Sequence, residues 1–193
     1  MTGNSTLLAN RLWPVDGTTT WLRAILLALA GSIFVAFAAH ISVVMLPVPI
    51  TLQTLAVLAV GAVYGSRLGA ATLALYAAEG AAGLPVFAPT PDGYPGISGP
   101  TGGYIIGFIL AAALLGWLVE RGWDRSIPKM IAATLLAAAV LYIPGLIWLQ
   151  GFVGGFAKAV EYGLAPFWLW DTVKALVVAF AVPAAWSLLG RKL

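Results

Sequence analysis

The feature that most constrains this chain is a series of six apolar stretches separated by charges, Gly/Pro clusters and tryptophans. They run roughly from Trp21 to Leu46, Ile50 to Tyr64, Leu68 to Ala82, Gly103 to Val119, Met130 to Gln150 and Phe167 to Leu189. A helix needs about 20 apolar residues to cross the hydrocarbon layer, so the second and third stretches are short and are expected to be tilted, broken or continued into adjoining loops. Of 193 residues, 61% are apolar and only 9% charged, which leaves too little polar surface to clothe a water-soluble globule. The stretches are rich in Ala and Leu and lack the alternating, roughly ten-residue pattern of a membrane barrel. The expected fold is therefore all-α: a polytopic bundle of six transmembrane helices forming one membrane domain over residues 1–193.

Charge placement gives an orientation. With the N-terminus inside, Arg11, Arg23, Arg67, Arg121, Arg125, Lys129, Arg191 and Lys192 fall on cytoplasmic segments, Lys158 lies outside and Lys174 sits within a helix. Eight cations against one over short loops satisfies the positive-inside rule, so both termini are expected in the cytoplasm. Residues 1–20 are polar and read as a cytoplasmic segment rather than a cleavable signal, the first helix itself directing insertion. Trp21, Trp117, Trp123, Trp148, Trp168, Trp170 and Trp186 cluster near expected helix ends, where amphipathic rings prefer the headgroup layer. Cations scattered over five segments fit topology better than a nucleic-acid footprint. With no cysteine there is no disulfide, thiolate metal site or thiol nucleophile.

Two connections face outward. Residues 80–102 (GAAGLPVFAPTPDGYPGISGPTG) hold five prolines among repeated glycines, so they form a structured loop or lid instead of a helix. Residues 151–166 contain AKAVEYGLAP, a candidate short interfacial helix ending at Gly163. Small residues recur every fourth position as Ala24, Ala28, Ser32 and Ala36, and as Ala70, Ala74, Ala78 and Ala82. Such strips serve close packing within the bundle or docking against a partner subunit.

A charge in hydrocarbon costs roughly 2.5–3.5 kcal/mol on insertion scales, so the few intramembrane polar groups need reasons. Asp171 and Lys174, in WLWDTVKALVV, share one helix face about 4.5 Å apart along the axis. They form either a neutralising pair or a carboxylate and ammonium that meet a ligand's N–H groups and oxygens. Thr51 and Gln53 open the second stretch, as ligand contacts or as a helix start behind Pro49. Tyr104 offers a hydroxyl or an aromatic wall, and Phe87 and Trp168 offer further walls. Glu79, near the outer end of the third stretch, is a site candidate or a solvated loop-mouth acid. His40 is solitary and no metal site is expected. One His and seven acids assemble no triad, phosphate loop or catalytic carboxylate pair, so an enzyme is not expected.

Four segments then combine. PVPITLQTL (residues 47–55), GLPVF (83–87), GPTGGYIIGF (99–108) and the late DTVK (171–174) together resemble the BioY family, the biotin-specific substrate-binding (S) components of energy-coupling factor (ECF) transporters. The resemblance implies a six-helix, multi-pass cell-membrane protein that captures biotin from outside. It implies partners, a membrane coupling (T) subunit and ATPase (A) subunits that use the ATP, and no cofactor of the chain's own. It gives Asp171 and Lys174 a role in biotin binding, and gives Ala24 and Ala28, with Ser32 in the same strip, the docking of the coupling subunit. Asp171 suits the two ureido N–H groups of biotin, Lys174 an oxygen, and Phe87, Tyr104 and Trp168 the apolar ring. No Lys or Arg lies between Arg67 and Arg121, so the ligand carboxylate would meet backbone N–H, Lys158 or water. Competing readings are an S component for another small vitamin, a membrane enzyme acting on a lipid with Asp171 as base, and a structural or pore-forming bundle.

Overall fold

In a computed structural model, residues 7–13, 20–90 and 96–190 are described. Expectations for residues 1–6, 14–19 and 91–95, and for Arg191 and Lys192, lie outside the described residues. The elements in order are α1 (Leu8–Leu12), α2 (Thr20–His40), β1 (Ser42–Val43), β2 (Ile50–Thr51), α3 (Gln53–Ala81), α4 (Gly102–Val119), a 3-10 turn (Trp123–Arg125), α5 (Ile127–Val153), α6 (Phe156–Gly163) and α7 (Trp168–Gly190). Among the described residues five helices, α2, α3, α4, α5 and α7, are long and apolar enough to cross a membrane.

The 29-residue α3 is not one rod. At 1.5 Å per residue a straight helix would hold Gln53 and Tyr76 about 35 Å apart, yet Gln53 Nε2 donates to the Tyr76 hydroxyl at 2.8 Å. The chain reverses at Gly65, whose φ of 82° and ψ of −178° interrupt the helix. Residues 53–64 and 66–81 are thus two antiparallel arms, matching the two short stretches of the sequence. Glycine is needed at the reversal because an L side chain disfavours that φ, and a Cβ there would sit 2.7 Å from Glu120 Oε1. That Glu120 oxygen accepts from the Ser66 N–H and hydroxyl, both at 2.8 Å, so the second arm begins on an acid borrowed from the end of α4.

The first stretch is shorter than expected: α2 stops at His40 instead of running to Leu46. Val43 pairs with Ile50 and Ser42 with Thr51 in a small antiparallel ladder. Pro47 and Pro49 cannot donate to a helical ladder, so MLPVP becomes the reversal between two strands, with a cis Leu46–Pro47 bond. The helical hydropathy of the segment concealed this. By contrast α6 forms as expected and ends at Gly163.

α4 is the central helix, with 67% of its span buried, while α2 and α7 stand at the periphery with 28% each. It packs on α3 to one side and α5 to the other. Gly107 permits the second contact, since a Cβ there would lie 2.3 Å from the Leu141 carbonyl oxygen. The outside of the bundle is apolar. Ile25, Leu29, Ile33 and Phe37 on α2, and Val173, Val177 and Phe180 on α7, are exposed, whereas Gln53, Thr54, Thr72, Asp171 and Lys174 are buried. Apolar groups outside and polar groups inside mark a multi-pass membrane protein. At the end bearing Arg11 and Arg23, α1 tucks Leu8 and Ala9 into the bundle, and Arg23 Nη1 donates to Asn10 Oδ1 at 2.9 Å.

Candidate ligand-binding site

Asp171 occupies the first turn of α7 and Lys174 lies one turn further on, so helical geometry alone brings them together. Lys174 Nζ donates to Asp171 Oδ1 at 2.8 Å and to the Thr51 carbonyl oxygen at 2.6 Å. The other carboxylate oxygen, Oδ2, accepts from the Tyr142 hydroxyl at 2.5 Å. Asp171 is 5% exposed and Lys174 8%. A pair this deeply enclosed persists because each charge is compensated within hydrogen-bond distance. The β1–β2 reversal matters here, because it delivers the Thr51 carbonyl to the ammonium across more than half the chain.

These groups form one wall of a cavity that is partly open to the exterior. Thr51, Gln53, Phe87, Tyr104, Asp171 and Lys174 all line it. Thr51 acts twice. Its hydroxyl donates to Gln53 Oε1 and accepts from the Gln53 N–H, each at 3.1 Å, starting α3 and orienting the amide together. Tyr76 stands behind Gln53, accepting from Nε2 and donating to the Val86 carbonyl at 3.0 Å. That bond ties the 80–102 loop to α3. Phe87, next along, meets the Tyr76 ring edge-on at 5.3 Å between centroids. Gly80 makes room for it, since a Cβ there would lie 2.1 Å from Phe87 Cζ. Tyr104 ties the connection over residues 151–166 by donating to the Gly163 carbonyl at 2.8 Å.

Two expected site residues stand elsewhere. Trp168 is 57% exposed and does not line the cavity; its neighbour Phe167, 7% exposed, does. Phe167 is the last residue before α7 and Trp168 its first, and only the former is turned inward. Glu79 likewise does not line the cavity and instead accepts a hydrogen bond from the Ser32 hydroxyl, joining α2 to α3. In the strip containing Ser32, Ser32 is fully buried, and Ala24, Ala28 and Ala36 are half-buried, so part of this strip packs within the bundle. Of the other strip, Ala74, Ala78 and Ala82 are exposed.

The reading of the sequence missed Tyr142 and the apolar walls Phe108, Leu141 and Phe167. Tyr142 carried a signal, being a hydroxyl near the middle of an apolar stretch, but an aromatic there reads first as packing. Its ring stands edge-on to Tyr104, 6.1 Å between centroids. The assembled site presents one compensated ion pair, an amide, several hydroxyls and aromatic walls. It is built to bind a ligand with a compact polar head and an apolar body. Among the described residues no group of three His, Cys, Asp or Glu side chains could hold a metal.

Comparison with known proteins agrees with this architecture. The family model described as the BioY family matches residues 8–191. A Pyrococcus horikoshii protein described as a probable biotin transporter BioY is 43% identical over 137 residues, covering 71% of this chain and 80% of that one. The biotin transporter BioY of Thermotoga maritima is 35% identical over 158 residues, covering 82% and 92%. In three dimensions the chain is similar to the crystal structure of the S-component for biotin from an ECF-type ABC transporter. That similarity has a TM-score of 0.74 over 90% of this chain and 95% of the other, at 21% identity, and concerns the fold.

Proposed function

The chain belongs to the BioY family, and on that premise we propose that it is the biotin-binding S component of an ECF-type uptake transporter. It captures the vitamin from outside the cell and passes it inward with partner subunits. The observation that carries the reading is the Asp171–Lys174 pair, buried at the wall of a cavity over which two outward connections are fastened by tyrosine hydroxyls. The Asp171 carboxylate accepts from the ureido N–H groups, and the unused proton of Lys174 reaches an oxygen of the ligand. Phe87, Phe108 and Phe167 enclose the apolar bicycle. The carboxylate and ammonium are held ready by Tyr142 and the Thr51 carbonyl, so little ordering is left for the ligand to impose.

The chain has no phosphate-binding loop, so the energy for release comes from ATPase subunits through a membrane coupling subunit. It lies in the cell membrane with both termini cytoplasmic and the 80–102 loop outside, as its cations demand. It is a transport subunit and not an enzyme. The test is equilibrium binding of labelled biotin to the detergent-purified chain, with thiamine and riboflavin as competitors that leave the biotin bound. Asp171→Asn and Lys174→Ala should each lower affinity at least tenfold, about 1.4 kcal/mol. Titration curves unchanged in both variants would reject the site assignment.

A further inference from the structure

The cavity holds a cation, but its charge is already neutralised. Lys174, the single Lys or Arg among the lining residues, is paired at 2.8 Å with Asp171 and gives a second proton to the Thr51 carbonyl. The charged groups among the described lining residues, Asp171 and Lys174, therefore sum to zero. A ligand carboxylate brought to Lys174 would also stand beside Asp171 and leave a net negative charge enclosed in a low-dielectric site. The polar end that suits this wall is a neutral one. Biotin has such an end in its ureido group, and its carboxylate lies at the far end of a flexible chain.

That far end finds no cation either. From residue 68 to residue 120, which includes the whole 80–102 loop, there is no Lys or Arg, while Glu79 and Asp92 are acidic. Among the described residues, those of the loop that line the cavity, Phe87, Ala88 and Thr101, offer no charge. Lys158, on the other outward connection, is exposed and does not line the cavity.

We propose that this site reads only the neutral head of biotin, and that forms with an uncharged tail, esters and amides of the carboxyl group, are ligands of the same cavity as good as the free acid. The inference rests on the assignment of biotin to the cavity and adds the class of derivatives it accepts.

The experiment is displacement of labelled biotin from the purified, full-length chain by biotin, biotin methyl ester, biotinamide and a biotin methylated on a ureido nitrogen. The ester and the amide should compete within fivefold of biotin, and the ureido-methylated form should be more than tenfold weaker. Lys158→Ala should leave the affinity for free biotin unchanged within twofold. Ester and amide both more than fivefold weaker than the acid, or a tenfold loss of acid binding in Lys158→Ala, would overturn the inference while biotin binding itself stood. Absence of saturable biotin binding would remove the functional reading and this inference with it.

Discussion

Tyr142 supplies one of the two fixed bonds that hold Asp171, and its removal separates positioning from charge. Tyr142→Phe keeps the ring and the volume but leaves Oδ2 without its donor. A hydrogen bond to a charged group contributes roughly 1.5 kcal/mol, so biotin affinity should fall about tenfold with little change in expression, read by the same titration. Asp124 yields a pH prediction instead. It lies in the turn between α4 and α5, fully buried, taking a bond from Trp186 Nε1 on Oδ2 while Oδ1 has no hydrogen-bond partner. Burial raises its pKa above the ordinary 3.8, against the opposing pull of Trp186 and Arg125. A raised folded-state pKa means that its stabilising contribution is complete below the unfolded value and is lost as pH rises through the folded one. Asp124→Asn should therefore flatten the fall in melting temperature as pH rises above the ordinary carboxylate range, measured in detergent by thermal unfolding. Asp171 and Lys174 were legible in the sequence because charge inside an apolar helix is costly and so conspicuous. The Phe167/Trp168 choice was not, because the two straddle the start of α7 and hydropathy does not say which of two adjacent aromatics turns inward.

At the scale of elements, tyrosine hydroxyls help fasten the two long connections, at Val86 and at Gly163. Tyr76→Phe removes the donor to Val86 and the acceptor for Gln53 at once, freeing the loop that holds Phe87 over the cavity. Biotin should dissociate about fivefold faster, since a neutral hydrogen bond is worth about 1 kcal/mol. Amide exchange over residues 84–90 should rise in parallel. Gly65→Ala tests the reversal in α3: a φ of 82° and a Cβ 2.7 Å from Glu120 Oε1 should together cost roughly 1–3 kcal/mol, seen as a lower melting temperature. The long spans were plain from apolar length, and the arms of α3 were plain as two short stretches. The β1–β2 reversal was hidden, because Val43 to Ile50 is as apolar as the helix before it and only its two prolines spoke against continuation. The α2 strip left its partner open for a related reason: four-residue spacing marks a face suited to close packing but does not say what it packs against.

Over the whole molecule, the absence of cysteine makes the orientation directly measurable. Lys158→Cys and Lys129→Cys both place a thiol at an exposed position. In intact cells a membrane-impermeant maleimide should label the first and spare the second until the membrane is opened; the reverse pattern would invert the topology. The bundle also has an electrical property that follows from the pairing on α7. Since the anion and cation of that helix cancel, the empty carrier contributes no net charge at its cargo site, and the transmembrane voltage acts on the cargo alone. With about 2.3 kcal/mol per elementary charge at 100 mV, an inside-negative cell resists the entry of anionic biotin but is indifferent to a tail-neutral derivative. Transport against that voltage should therefore cost less for a tail-neutral derivative than for the free acid.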